Sequence, residues 1–247
     1  MEEILYGRNP ARETLRACRR HIHKVIFADN VGNSPIIAEI SSLAKKLNIP
    51  IQTTSRRKLD EIGQEHQGVA LEVGRYPFVA VEDILRRAAK LERPPFIVAL
   101  DHLEDPHNLG AILRTVEAVG AHGVLLPKQR SVSVTPAVVK ASAGAAEHIW
   151  IAQIPNLVRA LQDLKGANVW VVGVEDTPEA LLYHQANLTG AIALVIGSEG
   201  RGVSRLVKDT CDFLVKLPMR GSIGSLNASV AASLMLYEVW RARSFQE

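Results

Sequence analysis

Apolar residues recur along the chain in two rhythms. Unbroken apolar runs at "FIVAL" (96–100), "GVLLP" (123–127), "HIWIA" (148–152), "VWVVGV" (169–174), "IALVIG" (192–197) and "FLVKL" (213–217) read as strands buried on both faces. Between them the spacing turns helical, predicting helices over 109–119, 136–146, 156–165, 204–209 and 227–242. In the first of these, Leu109, Ile112, Leu113, Val116 and Val119 form one apolar stripe, Asn108 is placed as a cap and Gly120 as a stop. Strand–helix alternation of this kind implies a parallel sheet covered on both faces.

The first third has its own, shorter alternation. Asn9 as cap and Pro10 in the first turn predict a helix through Arg19, followed by a strand at "KVIFA" (24–28). Ile36, Ile37, Ile40, Leu43 and Leu47 share a helical face, and "IPIQTT" and "GVALEV" read as strands. The helix predicted in "AVEDILRRAAKLERPP" ends before Pro94-Pro95, the best boundary along the chain. The organisation expected is a small α/β domain at 1–74, a connection at 75–95 and a larger parallel-sheet domain at 96–247.

Composition adds limits. The 247 residues are 47% hydrophobic and 22% charged, which is ordinary for a globular chain, and no apolar run approaches a membrane span. The start, "MEEILYGRNP", has the pattern of neither a signal nor a transit peptide. Cys18 and Cys211 lie far apart, which argues against a disulfide framework or a thiolate metal site and points to the cytoplasm. Net charge is +3, and residues 1–80 carry all of it, with 12 Lys and Arg against 9 Asp and Glu. The excess clusters around Arg19 and Arg20 and around Arg56 and Arg57, an electrostatic footprint for nucleic acid that also fits a solvated face. Aromatic content is 5%, so no stacking platform for single-stranded RNA is legible.

Three segments carry candidate chemistry at the carboxyl ends of strands, where open parallel sheets bind ligands. In "EDPHNLGAILRT", Arg114 falls almost opposite the apolar stripe, with Glu117 one turn on; the pair also fits an exposed surface ion pair. In "LVIGSEGRGVS", three glycines surround Glu199. Backbone amides in a glycine turn attract anions, but a carboxylate inside it repels a pyrophosphate, and the order of the glycines is wrong for a dinucleotide fingerprint. S-adenosylmethionine fits better, having a sulfonium and no phosphate. Glu199 fits equally a carboxylate that binds a hydroxyl or a cationic side chain, or one that caps the next helix. In "LPMRGSIGSLNASVAASLMLYEVW", a glycine-rich loop leads into a helix that opens with small residues.

Together and in this order, the three segments resemble the motifs of the SpoU (TrmH) family of RNA ribose 2′-O-methyltransferases, within the SPOUT superfamily. "KASAGAAEH" resembles the family's larger members, and "LYGRNPARETLRA" and "GVALEV" resemble its substrate-binding domain, as in the RlmB type that methylates a guanosine in the peptidyl-transferase region of 23S rRNA. The resemblance implies a C-terminal trefoil knot, a homodimer with motif-one residues near the partner's pocket, S-adenosylmethionine as cofactor, RNA as partner and no metal. By position it implies Asn108, Arg114, Glu199, Ser225 and Asn227 as catalytic residues, and backbone around Ile196, Gly197, Gly200, Leu217, Met219 and Leu226 as the cofactor cradle. Arg220 fits either an RNA contact or a solvent-facing side chain, and Asp101-His102 departs from the Asp-Gly common in relatives. The alternatives are another RNA target, such as tRNA or a different rRNA site, and a non-catalytic RNA-binding ribosome-assembly protein.

Overall fold

The computed structural model describes residues 2–63, 65–222 and 224–245; Ile223, within the third motif, and the chain ends at 1, 246 and 247 lie outside the described residues. In chain order the elements are β1 (Glu3–Tyr6), α1 (Arg8–Ala17), β2 (Ile22–Ala28), α2 (Pro35–Lys46), β3 (Ile51–Thr54), α3 (Arg56–Asp60), β4 (Val69–Val73), α4 (Val81–Lys90), β5 (Phe96–Leu100), α5 (Pro106–Ala118) and β6 (Gly123–Pro127). There follow α6 (Pro136–Ala141), β7 (Ile151–Ile154), α7 (Leu157–Gly166), β8 (Trp170–Val174), β9 (Leu181–Leu182), β10 (Ile192–Ile196), α8 (Arg205–Thr210), β11 (Phe213–Lys216) and α9 (Ala228–Ala242). They gather into two compact units, Met1–Pro77 with Val134–His148, and Phe78–Ser133 with Ile149–Glu247.

The smaller unit has a sheet in the order β1-β4-β2-β3, antiparallel except for the β2–β3 pair. Helix α1 starts two residues earlier than expected, at Arg8 rather than Pro10. Gly7 is its N-cap, at φ +103°, a conformation that L side chains rarely adopt, and Asn9 and Pro10 lie in the first turn. On α2, Ile37, Ile40 and Ala44 are buried, but Leu47 follows the helix and is exposed, so the predicted stripe is one turn too long. Arg20 closes the unit from inside. Its guanidinium donates to Glu3 Oε2 at 2.9 Å and Glu147 Oε1 at 2.8 Å, and it lies over the Tyr76 ring. Burial raises the Glu147 pKa, and the facing Arg20 opposes that rise.

The larger unit carries a seven-stranded sheet, all parallel, in the order β7-β6-β5-β10-β8-β11-β9. Ile97, Ala99, Leu125, Val171, Ala193 and Val195 pack in one core with Ile84 of α4, Leu157, Leu161 and Leu164 of α7 and Val207 of α8. The alternating positions Val98, Leu100, Val172, Leu194 and Ile196 are buried as well, as a two-faced sheet requires. Helices α5 and α9 pack together, and the stripe Leu109, Ile112, Leu113, Val116 and Val119 is buried as expected. Gly120, at φ +67°, ends α5. The "HIWIA" strand begins late, at Ile151, because a 3-10 turn at Ala145–His148 occupies its start, and α6 stops at Ala141 rather than 146. Strands β1 and β9 had no signal in the hydrophobic pattern. One is short with an acidic start, and the other has two residues.

The order β5-β10-β8-β11 sets the position of the site. These neighbours are parallel, so the segments after Leu100, Ile196, Val174 and Lys216 leave the sheet at one end. The glycine turn of the second motif, from Gly197, and the third motif, from Leu217, emerge there directly, and the first, following β5, reaches it through Asp101.

Candidate active site

The glycine turn is shaped by close approach. A Cβ on Gly197 would lie 2.1 Å from the carbonyl carbon of Gly202, so any side chain there forces the turn apart. Ser198 and Gly202 exchange both backbone hydrogen bonds, at 3.1 and 3.0 Å, which pulls the turn into a narrow ribbon. Gly200 and Gly202 have φ of +73° and +63°. The turn is braced from β8: Glu175 accepts from the Val203 amide at 2.9 Å and from Lys208 Nζ at 3.0 Å. It is braced from β5 by Asp101, which is buried and accepts from the Ser204 amide at 2.7 Å. His102 follows at φ +56°, the region where glycine is at ease, and its Nδ1 bonds Asp101 Oδ1 at 2.5 Å.

Glu199 stands at the tip of this turn, and one residue from each of the other two motifs reaches it. Asn108 Nδ2 donates to Glu199 Oε1 at 2.6 Å, and Asn227 Nδ2 donates to the same oxygen at 2.5 Å. Asn227 Nδ2 also bonds Asn108 Oδ1 at 3.0 Å. Asn108 is free to do this because it is not the helix cap. Asp105 caps α5, accepting from the amides of His107 at 3.1 Å and Asn108 at 3.2 Å, with Pro106 at the first helical position. Asn227 does cap its helix, through Oδ1 to the Ser229 and Val230 amides at 2.9 and 3.3 Å, while its amide nitrogen faces Glu199. Glu199 caps no helix, and its Oε2 has no partner among the described residues. That removes the capping reading.

Beside this network lies a cavity of about 330 Å³, within the range of small-molecule sites. Ile196, Gly197, Gly200, Leu217, Met219 and Leu226, the six positions of the expected cradle, line it, as do Ser225 and Glu199. Three carboxylates, Glu175, Asp176 and Glu199, and two cations, Arg201 and Lys216, line it, a net negative set that suits a ligand with hydroxyls or positive charge better than a phosphate. The exposed Met219 and Leu226 offer it apolar edges. This donor set fits S-adenosylmethionine. A second cavity of about 490 Å³ shares Ser198, Glu199, Arg201 and Gly202 with the first and adds His102, Asp105, Asn108 and Arg130. Glu199 thus lies on the wall between two spaces.

The remaining expected residues are placed differently. Ser225 lines the first cavity but makes no hydrogen bond to the Asn108–Glu199–Asn227 network among the described residues. Arg114 is exposed on α5 and forms no ion pair with Glu117 or any other described residue. Arg20, expected at the RNA surface, is spent inside the smaller unit, its side chain 1% exposed. Arg19 is half-buried, reaching toward the Glu147 and Pro77 carbonyls and the Tyr76 ring. Arg56, Arg57 and Arg220 are exposed. Sequence reasoning passed over Glu175 and Asp105. Glu175 was findable from its place just past the carboxyl end of a strand, and Asp105 from the proline that follows it. Among the described residues no cluster of three metal-ligating side chains occurs, and no helix is long and apolar enough to cross a membrane.

A model of the SpoU rRNA methylase family matches residues 95–237, more than half of the chain and inclusive of all three motifs. The chain belongs to the SpoU methylase family. A second model, RNA 2′-O ribose methyltransferase substrate binding, matches residues 4–79. The Bacillus subtilis protein YacO, named for the TrmH family of tRNA/rRNA methyltransferases, is 46% identical over 244 residues, covering 98% of this chain and 96% of its own. A Staphylococcus aureus protein of the same family name is 42% identical over 243 residues, covering 98% of this chain and 97% of its own. Among solved structures, the SpoU methyltransferase AviRb from Streptomyces viridochromogenes, in complex with the cofactor AdoMet, superposes with a TM-score of 0.82 at 23% identity, over 99% of this chain and 92% of its own. The α/β architecture is that of these methyltransferases.

Proposed function

We propose that this SpoU-family protein transfers a methyl group from S-adenosylmethionine to a ribose 2′-hydroxyl of RNA, and that its target is a guanosine in the peptidyl-transferase region of 23S rRNA. The observation that carries the reading is the convergence of Asn108, Glu199 and Asn227, one from each motif, on the wall of a cavity lined by every position of the expected cofactor cradle. S-adenosylmethionine, when bound, supplies an electrophilic methyl group on a sulfonium. Backbone around Ile196, Gly197, Gly200, Leu217, Met219 and Leu226 would hold it.

The chain's own residues divide the remaining work. Asn108 and Asn227 fix Glu199 through one oxygen, leaving Oε2 to accept from the ribose hydroxyl and hold it in place; such positioning supplies much of a rate enhancement. Arg114, which lines neither cavity of its own chain, reaches the backbone phosphate and the developing alkoxide from the second copy of a homodimer. A guanidinium, whose pKa exceeds ~12, stabilises charge there rather than removing the proton. Ser225 closes the cavity at the third motif.

Residues 1–77 act in this reading as the RNA-binding part, supported by the substrate-binding model that matches residues 4–79. A homodimer is part of the proposal. Val230, Leu234 and Tyr237 recur at helical spacing on α9 and are 47–49% exposed, an apolar stripe that a second copy would cover. The deep trefoil knot and a cytoplasmic location belong to the same reading. The family name of the relatives covers tRNA as well as rRNA, which keeps tRNA as the second target. Mapping ribose methylations in 23S rRNA and tRNA from cells with and without the gene decides. A guanosine methylation lost from the peptidyl-transferase region supports the proposal, and a loss confined to tRNA overturns the target.

A further inference from the structure

The smaller unit contains a cavity of about 320 Å³ unrelated to the glycine turn, walled by Arg8, Asn30, Val31, Gly32, Arg56, Gln67 and Gly68. We propose that it is a binding site for one unpaired nucleotide of an RNA strand, with the phosphodiester on Arg8 and Arg56 and the base edge on the amides of Asn30 and Gln67. The inference rests on the reading of RNA as substrate and deepens it, because it names the class of RNA and the residues that grip it.

The walls are held in place. His66 is fully buried; its Nδ1 accepts from the Gly68 amide at 2.8 Å, so its Nε2 carries the proton toward Asp60 Oδ1 at 2.9 Å. That clamp sets Gln67 at φ +55° and Gly68 at φ +82°. A Cβ on Gly68 would come 2.8 Å from Val31 Cγ2, so the two loops are in close contact at Gly68 and Val31. Gln67 then joins the start of α1: its Oε1 accepts from the Arg8 amide, and its carbonyl accepts from Arg8 Nε, both at 3.1 Å.

What remains unused points into the cavity's chemistry. Arg8 keeps both terminal guanidinium nitrogens, Gln67 keeps its amide nitrogen, and the side chains of Arg56 and Asn30 have no hydrogen-bond partner among the described residues. Two guanidiniums recognise a phosphodiester, and two carboxamides offer donors and acceptors to a base edge. The volume stands at the low end for ligand pockets, about 300 Å³. A duplex, read by shape across its broad minor groove, does not enter such a space, whereas an unstacked nucleotide does. Lys46, on α2 of the same unit and outside both charge clusters, is exposed but does not line the cavity, which makes it the natural control.

The test uses the full-length protein and fluorescence anisotropy with a fluorescein-labelled single-stranded uridine decamer and an RNA duplex of the same length. Arg56→Gln and Asn30→Ala touch no hydrogen bond of the fold. Each is expected to weaken decamer binding about tenfold. Arg56→Gln should also lower the salt slope by about 0.7, the value for one single-strand phosphate contact. Lys46→Gln should leave both unchanged, and methyl transfer to rRNA should show a raised KM with kcat kept for the two cavity variants. Equal losses for Lys46→Gln and Arg56→Gln, or duplex binding as tight as decamer binding, would overturn the site. If the wild type methylates RNA while the cavity variants keep its KM, this inference alone falls. If the wild type neither binds nor methylates RNA, the parent reading falls with it.

Discussion

Asn227 holds Glu199 and the start of its own helix with the two ends of one side chain: Nδ2 lies 2.5 Å from Glu199 Oε1, while Oδ1 accepts the Ser229 and Val230 amides. One residue therefore ties the register of α9 to the carboxylate between the two cavities, and the two duties separate by mutation. Asn227→Ala loses both, and its stability should fall by about 1 kcal/mol, the usual cost of a lost cap. Asn227→Ser restores the cap but not the reach to Glu199. Urea titrations should show the serine variant close to wild type while methyl transfer stays at least about tenfold down in both. Full activity in the serine variant would remove Glu199 positioning from the mechanism.

Gly197→Ala drives a methyl group into the Gly202 carbonyl, whereas Gly200 meets nothing within 4 Å, so an alanine there has only its positive φ to contend with. Calorimetry should find S-adenosylmethionine affinity reduced at least about tenfold in Gly197→Ala. Gly200→Ala should lose about 1 kcal/mol of stability or less. Equal cofactor affinity in wild type and Gly197→Ala would mean that the turn is not the cradle.

Much of this was legible in the chain itself, and the failures share a cause. Runs such as "FIVAL" and "IALVIG" declared buried parallel strands because both of their faces are apolar, and α5 declared its stripe because its spacing is local. Asn9 and Asn108 were misread as caps. Capping residues cluster near helix starts, and only the three-dimensional turn selects Gly7 and Asp105. Arg20 looked like a surface charge because its partners Glu3 and Glu147 lie 17 and 127 residues away. The same distance in sequence hid the membership of Val134–His148 in the smaller unit. The triad of Asn108, Glu199 and Asn227 was named by motif resemblance, but its hydrogen-bond pattern belongs to the folded chain alone.

Arg114→Ala should leave folding and cofactor binding intact, because the side chain is exposed, lines neither site cavity and pairs with no described residue. Methyl transfer should fall by about a hundredfold or more, the scale of losing one charge-stabilising group. Thermal unfolding and calorimetry supply the controls. A drop in cofactor affinity equal to the drop in rate would reassign Arg114 to the cradle.

His122 links stability to pH. It is buried, accepts from the Phe96 amide at 2.9 Å, and faces Arg243, Arg87 and Arg93. Burial first, then these cations, push its pKa down to about 4. The unfolded chain takes up this proton near pH 6.5 and the folded chain does not, so stability is full above about pH 6.5 and falls as pH drops toward 4. The loss attributable to this group is on the order of 2 kcal/mol. His122→Asn keeps an acceptor for Phe96 and cannot titrate. Urea midpoints measured from pH 7 to pH 4 should decline less for the variant than for wild type, and identical declines would exclude His122 as the source.

The central claim is methyl transfer to a ribose oxygen. A 2′-O-methyl group prevents the adjacent phosphodiester from being cut in alkali, so the product identifies the atom modified. The protein should be incubated with S-adenosyl[methyl-³H]methionine and large-subunit rRNA lacking its natural methylations, without added divalent metal beyond that folding the RNA, and the RNA then hydrolysed in alkali. Label should appear in alkali-resistant dinucleotides for the wild type and vanish for Glu199→Ala. Label in mononucleotides, which reports a methylated base, or label in dinucleotides undiminished by Glu199→Ala, would contradict it.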